Sequence, residues 1–481
     1  MKASLSAVKR ASKAWLKQGL RRAVQATTRE SFAIAPRHWD LDVDANGGLS
    51  LAGVGLDALV QEYGSPLHVV NTARLRSNAR RYLAPTAGGA RAEVFYSYKT
   101  NPVQGVLDEL HRAGVGAEVI SHYELWLALK LGVAPDRIVY NGPAKSEASV
   151  RLAIQREILL LNMNHREEIA VVAGLAAELG RRPKVGLRVT LGGWAGQFGM
   201  RAADGSALAG FEEALASRSL DLVALHVHRG GMIQHAAEAE TFVTDVLAFV
   251  DQLREKLGFE PSILDLGGSL GSPSVRPLSS RELRLNRSLL RELLPPEPSQ
   301  SLSIEAYTGI VLSRVHAHYQ RLGKAAPRIF LEPGRSLTSD AQLLLTRVMG
   351  LKRAPDTTFA ICDAGINLAE SCRSEYHQVF PVGRYGHKST QTFTLVGPIC
   401  TPGDTLRWAA RLPSLAVGDT LAIMDAGAYF VPFSTSFSFP RPAILAVDSR
   451  QVSVLRRAET FDDLSRLDDE HGHVTGSSRS I

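Results

Sequence analysis

From about residue 66 the chain alternates short apolar runs with amphipathic stretches. The runs PLHVVN, EVFYSYK, AEVI, RIVYN, ILLLN, KVGLRV, LVALHVH, SILDLGG and RIFLEPG are too short for helices and read as strands. Between them, stretches such as VQGVLDELHRAG, HYELWLALKLG, HREEIAVVAGLAAELG and AETFVTDVLAFVDQLREKLG carry helical spacing. Most end at a glycine that suits a left-handed cap. Strands alternating with helices over roughly 270 residues predict a parallel sheet. About eight strand units close most simply into a (β/α)8 barrel of the TIM type, placed at 70–338.

After about residue 338 the pattern changes. LLLTRVMGLK, FAICDAG, FTLVGP, DTLAIMDAG, AILAVD and SVLRRA are apolar runs separated by turn residues, which predicts a second, β-rich domain (sandwich or Greek-key barrel) over 339–460. The Pro- and Ser-rich stretch 272–300 reads as a barrel insertion with one short helix. A mobile polar tail is expected over 461–481.

Composition narrows the class. At 481 residues the chain is too long for one ordinary core, and 45% apolar content fits a soluble globular protein. No run reaches the roughly 18 apolar residues of a membrane span. Cys362, Cys372 and Cys400 cannot build a disulfide framework, and no Cys/His cluster has zinc spacing. No metal is expected, and a reducing, cytoplasmic setting is the simpler expectation. The net charge of +7 is concentrated in residues 1–36 and at Arg37, so the remainder carries no surplus positive charge. A nucleic-acid partner is therefore not expected. In the basic extension 1–36, Leu5, Val8, Ala11, Trp15, Leu16, Leu20 and Val24 recur at near-helical spacing. Such a helix suits an anionic membrane surface or an organellar address. A surface helix or an arm docking on a partner subunit is the plainer reading.

The candidate chemistry begins with Lys99, in VFYSYKTNP. At the C-terminal end of a barrel strand, a half-buried amine is expected to have a lowered pKa and to attack an aldehyde as the free base. Taken alone, a strand-end lysine is more often structural or solvated. In LDLGGSLGS, Gly267, Gly268 and Ser269 offer approachable backbone N–H groups for a phosphate, although tight turns use the same residues. In LEPGRS, Glu332 suits a protonated ring nitrogen, and Gly334 with Arg335 suits a phosphate; a Pro-Gly turn with a surface ion pair is the alternative. His228, in ALHVHRGG, suits stacking on a flat ring or a satisfied core position. Cys400, in VGPICTPGD, and Tyr429, in MDAGAY, complete the set.

Taken in order, YSYKTNP, NGPAK, LRV, HVHRGG, DLGGSLG, EPGR, DAGIN, VGPICTPGD and GAY resemble the pyridoxal 5′-phosphate (PLP)-dependent decarboxylases of the alanine-racemase-like barrel class. That class includes the diaminopimelate, ornithine and arginine decarboxylases, and the match spans roughly residues 55–450. The resemblance implies a PLP-binding barrel plus a β domain to which residues 37–69 contribute, in homodimers with shared active sites. It implies that Lys99 is the Schiff-base lysine, that His228 stacks on the cofactor and that Glu332 meets the pyridine nitrogen. Gly268, Gly334, Arg335 and Tyr429 resemble the phosphate grip. Cys400 resembles a proton donor supplied by the other subunit, and Asp363 an acidic position near the substrate.

Three places depart from the family. Thr401 stands where an acidic residue pairs with the substrate's distal amine in diaminopimelate and ornithine decarboxylases. Gly231 and Arg229 alter the histidine motif. LAESCRSEYH replaces an Arg-Pro…Tyr stretch, leaving Arg373 and Tyr376 as displaced substitutes. These departures predict a nonstandard amino acid, conjugated or carrier-tethered, or one with a neutral side chain. A racemase or epimerase on the same barrel, and a noncatalytic decarboxylase-like regulator, are the rival readings.

Overall fold

The computed structural model describes residues 18–21, 23–24, 34–192 and 196–468. It begins with a small antiparallel sheet of β1 (Leu41–Val43), β2 (Leu49–Leu51) and β3 (Val54–Gly55), followed by the helix Leu56–Tyr63 and β4 (Leu67–Asn71). Eight parallel strands then close into a barrel. They are β5 (Glu93–Ser97), β6 (Gly116–Val119), β7 (Ile138–Tyr140), β8 (Leu160–Met163), β9 (Lys184–Thr190), then, past a two-residue strand β10 (Met200–Arg201), β11 (Asp221–Val227), β12 (Ile263–Asp265) and β13 (Arg328–Leu331). Pairing of β13 with β5 and of β8 with β9 completes the ring.

The C-terminal domain holds β14 (Gln342–Arg353), β15 (Thr358–Cys362), β16 (Val379–Pro381), β17 (Gln391–Val396), β18 (Thr405–Leu412), β19 (Thr420–Ile423), β20 (Ile444–Asp448) and β21 (Gln451–Arg456). β14 is its spine. Leu343 and Leu345 face one apolar cluster, with Leu67, Val69 and Phe380; Leu344 and Val348 face the other, with Leu395 and Phe430. That is the period-two alternation of a sheet packed on both faces.

The run PLHVVN does not join the barrel. β4 lies in the second domain, antiparallel to β14 and parallel to β20. All five of its residues are buried, and a strand covered on both faces carries no alternation to reveal its sheet. The other eight runs are the eight barrel strands.

The insertion carries the helix Ser280–Leu289, started by a capping box between Ser279 and Glu282. In the first part of the tail Thr460 caps the helical turn Phe461–Ser465, and Arg457 pairs with Asp463. Leu5 to Leu16 of the basic extension lie outside the described residues. Arg21 is described, and it donates to Asp356 (2.7 Å) and to the Ser288 carbonyl (2.9 Å). Among the described residues, no helix is long and apolar enough to cross a membrane.

Candidate active site

The barrel interior is layered by the same period of two. Phe95, Val139, Leu160, Ala224, Ile263 and Phe330 form an apolar floor. Gly116 and Gly186 complete that layer, because a Cβ at Gly116 would meet the Phe95 ring at 2.5 Å. Two residues further along each strand the inward positions become Ser97, Glu118, Asn141, Asn162, Arg188, His226, Asp265 and Glu332. A polar ring thus sits on an apolar plug, at the C-terminal end where barrel enzymes place their chemistry.

Hydrogen bonds tie the ring together. Asn141 Nδ2 donates to Glu118 (2.9 Å) and Glu332 (2.7 Å), and Asn162 Nδ2 to Asn141 (2.8 Å) and Asp265 (2.9 Å). Ser97 donates to Glu118. Burial drives the Glu332 carboxyl well above its ordinary range, helped by the neighbouring Asp265 and Glu118. Burial also pushes Asp265 up to about 6, against hydrogen bonds from Glu332, the Gly267 N–H and Asn162. A side-chain hydrogen bond links Glu332 to Asp265. Burial, then the neighbouring Arg188, His228, Lys99 and Lys145, push the His226 imidazole well below its ordinary range. His226, Asp265 and Glu332 each bring one donor atom within 4.8 Å of the others.

Asp265 has a consequence for stability. A carboxyl raised from about 4 unfolded to about 6 folded binds more protons in the native state between those values, so stability falls as pH rises through that window. Asp265→Asn is expected to flatten the melting-temperature profile between pH 4 and 6. An unchanged slope would place the titration elsewhere.

Lys99 sits just above the ring. β5 ends at Ser97, and Tyr98–Thr100 form a single 3-10 turn, so Lys99 is not the last residue of the strand. The second domain holds this turn: the Tyr429 N–H donates to the Thr100 carbonyl (2.9 Å), and Asn101 donates to Gln342 (2.8 Å). Lys99 Nζ lies 3.8 Å from Glu118 Oε2, with its side chain 41% exposed. Its pKa is not lowered as the sequence reading expects. Burial pulls it down, but Glu118, Tyr429 and Glu332 outweigh that and leave it above the ordinary lysine value. Glu118 carries the correction, a carboxylate hidden in the short apolar run AEVI.

A cavity of about 450 Å³ opens at Lys99, lined also by His228, Gly268, Ser269, Glu332, Gly334, Arg335 and Tyr429. His228 Nδ1 accepts the Gly268 N–H (3.2 Å), and burial, with Lys99 and Arg188, pushes its pKa down to about 3, so the ring is neutral. Gly267 (φ +60°) lies against this ring, where a Cβ would meet Nδ1 at 2.4 Å. A Cβ at Gly268 would meet the Glu332 carbonyl at 2.5 Å. Ser269 also has a left-handed backbone, and its buried hydroxyl has no partner among the described residues. An amine, a neutral imidazole, a glycine turn ending in an unpartnered hydroxyl and a buried carboxyl fit PLP.

Asp363, Tyr376, Arg373, Cys400 and Thr401 do not line this cavity. Asp363 accepts from Thr346 Oγ1 (2.7 Å) and the Arg347 N–H (2.9 Å) within the second domain. Tyr376 is buried against Leu278 and Leu293, its hydroxyl on Gln378. It packs the insertion instead of facing the cavity. Arg373 is largely exposed and pairs with Glu370 at 3.6 Å. Exposed Cys400 and half-buried Thr401 occupy the β17–β18 loop, away from the Lys99 cavity. Arg335 lines the cavity, but both its terminal nitrogens donate to Glu375 at 2.8 Å. Glu375, Glu118, Asp265 and His226 shape the site as well; for the last three, a polar residue inside an apolar run is the signal in the sequence.

The model of the pyridoxal-dependent decarboxylases, pyridoxal binding domain, matches residues 73–339, more than half of the chain. The chain belongs to this family. It is a PLP-dependent amino-acid decarboxylase, and the racemase and noncatalytic readings give way. Diaminopimelate decarboxylase of Aquifex aeolicus is 30% identical over 435 residues, covering 87% of this chain and 94% of the relative. That of Methanothermobacter thermautotrophicus is 30% identical over 440 residues, covering 89% and 97%. The solved diaminopimelate decarboxylase of Methanocaldococcus jannaschii in complex with L-lysine is 25% identical, with a TM-score of 0.77 and coverage of 89% and 97%.

Proposed function

We propose that this decarboxylase acts on a nonstandard or conjugated amino acid, as a homodimer with shared active sites, and that Lys99 is its central residue. The observation that carries the assignment of Lys99 is its place above a ring of buried carboxyls, in one cavity with His228 and the Gly268–Ser269 turn. When bound, PLP supplies an electron sink for the pair released as CO2 leaves. Lys99 Nζ would hold the cofactor and exchange with the substrate amine, with Glu118 as the nearest acceptor for its proton. His228 would cover one face of the ring, and Glu332 would meet the ring nitrogen. Gly268, Ser269, Gly334 and Tyr429 would grip the phosphate. Cys400, contributed by the partner subunit, would return a proton to the α-carbon.

Thr401 supports the narrower substrate reading, since a hydroxyl replaces a charge at that position. The names of the relatives favour a second reading, diaminopimelate itself. A CO2-release screen of the holoenzyme over diaminopimelate, ornithine, lysine, and neutral or amide-capped amino acids separates them. We expect the neutral or capped members to be turned over best; diaminopimelate at ordinary enzyme efficiency would establish the second reading. Release from none would refute the function.

A further inference from the structure

Lys99 and Arg335 are the only lysine or arginine lining the cavity among the described residues. Within one subunit, an anionic group on the substrate's far end would therefore meet Arg335. That guanidinium is fully engaged. Both terminal nitrogens reach Glu375 at 2.8 Å in a fork-to-fork pair, and the group lies 4.9 Å over the Tyr429 ring. The pair is well shielded, with side-chain exposures of 14% and 15%. Backbone hydrogen bonds fix the segment that carries Glu375. Its N–H donates to the Ser371 carbonyl, and its neighbours join the insertion through Tyr376 N–H to the Arg276 carbonyl and Leu278 N–H to the Ser374 carbonyl. His377 stands 3.6 Å behind it. Glu370 adds a second carboxylate to the same wall, beside the hydroxyls of Ser371 and Ser374.

We propose that Glu375 is a specificity-determining residue which, by occupying Arg335, excludes substrates with a free distal carboxylate and selects a neutral or cationic distal end. This rests on the proposed decarboxylation at Lys99. It narrows the substrate to an amino acid whose far end is an amide, ester, hydroxyl or amine. A conjugated side chain meets that condition, and one ending in a free acid does not.

The test is kcat/KM of the PLP-loaded enzyme for glutamine against glutamate, and for amide-capped against free diaminopimelate, in wild type and Glu375→Gln. Glu375→Gln keeps the shape and removes the charge. It should move both ratios toward the acid by about tenfold to a hundredfold, the range of a hydrogen bond to a charged group. Glu375→Asp, which keeps the charge, should leave the ratios near wild type and serves as the control for folding. Calorimetry with glutarate, an unreactive dicarboxylate, should show at least about tenfold tighter binding to Glu375→Gln. Unmoved ratios in a variant that still turns over amides would overturn the assignment. So would a tighter PLP Kd with unmoved ratios, which would put Arg335 on the phosphate. If wild type releases CO2 from no amino acid tested, the proposed function itself fails, and this inference with it.

Discussion

Lys99→Ala is expected to lower CO2 release by on the order of 10⁴-fold, the upper end of what one positioned group supplies in proton transfer. The same variant should carry no pyridoxyl mass on the peptide containing residue 99 after borohydride treatment. The fold should survive, because Lys99 is 41% exposed and its ion pair with Glu118 is long, at 3.8 Å. Glu118 remains bonded to Ser97 and Asn141 in either case. Lys99→Arg restores a cation beside Glu118 and should be as inactive as the alanine variant. Activity in Lys99→Arg above one part in a hundred of wild type would show that charge, and not the primary amine, is what the site uses.

The second large effect is expected from Glu332→Gln. Glutamine resembles the protonated form that burial favours at Glu332. Its carbonyl can accept from Asn141, as Glu332 Oε1 does at 2.7 Å, and its amide can donate to Asp265 in place of the carboxyl proton. Stability should therefore change little, with the melting temperature within a few degrees of wild type. Turnover should fall by about 10²–10³-fold, since an amide cannot move a proton to or from a ring nitrogen. Loss of stability and activity together would assign Glu332 to the scaffold. Full activity would show that a fixed hydrogen bond suffices.

Much of the site was legible because it is local. Lys99, His228, Gly268 and Glu332 follow their strands by one to three residues, and a run of apolar residues ending in a polar one can be read without any partner. The ring beneath them was not legible. Glu118, Asn141, Asn162 and Asp265 come from four strands, and their meaning lies in hydrogen bonds across the barrel that no single run contains. Lys99 shows the cost: its amine was expected to be depressed by burial, and the carboxylate that reverses the sign is 19 positions away in sequence. Arg335 was legible as a cation at the cavity, but its engagement by Glu375, across the domain boundary, was not. β4 straddles the expected boundary between residues 69 and 70 for the opposite reason. It is apolar on both sides, and only pairing with β14 and β20 distinguishes it from a barrel strand.

That strand also settles how the two halves are joined. Val70 and Gln342 are cross-strand partners, yet the whole barrel lies between them in the sequence. Topologically the catalytic half is an enormous hairpin loop, spliced between adjacent rungs of the other half. A short turn grafted from Asn71 to Gln342 should yield a free-standing β module, while the excised barrel, its ends one rung apart, could be hosted by another scaffold.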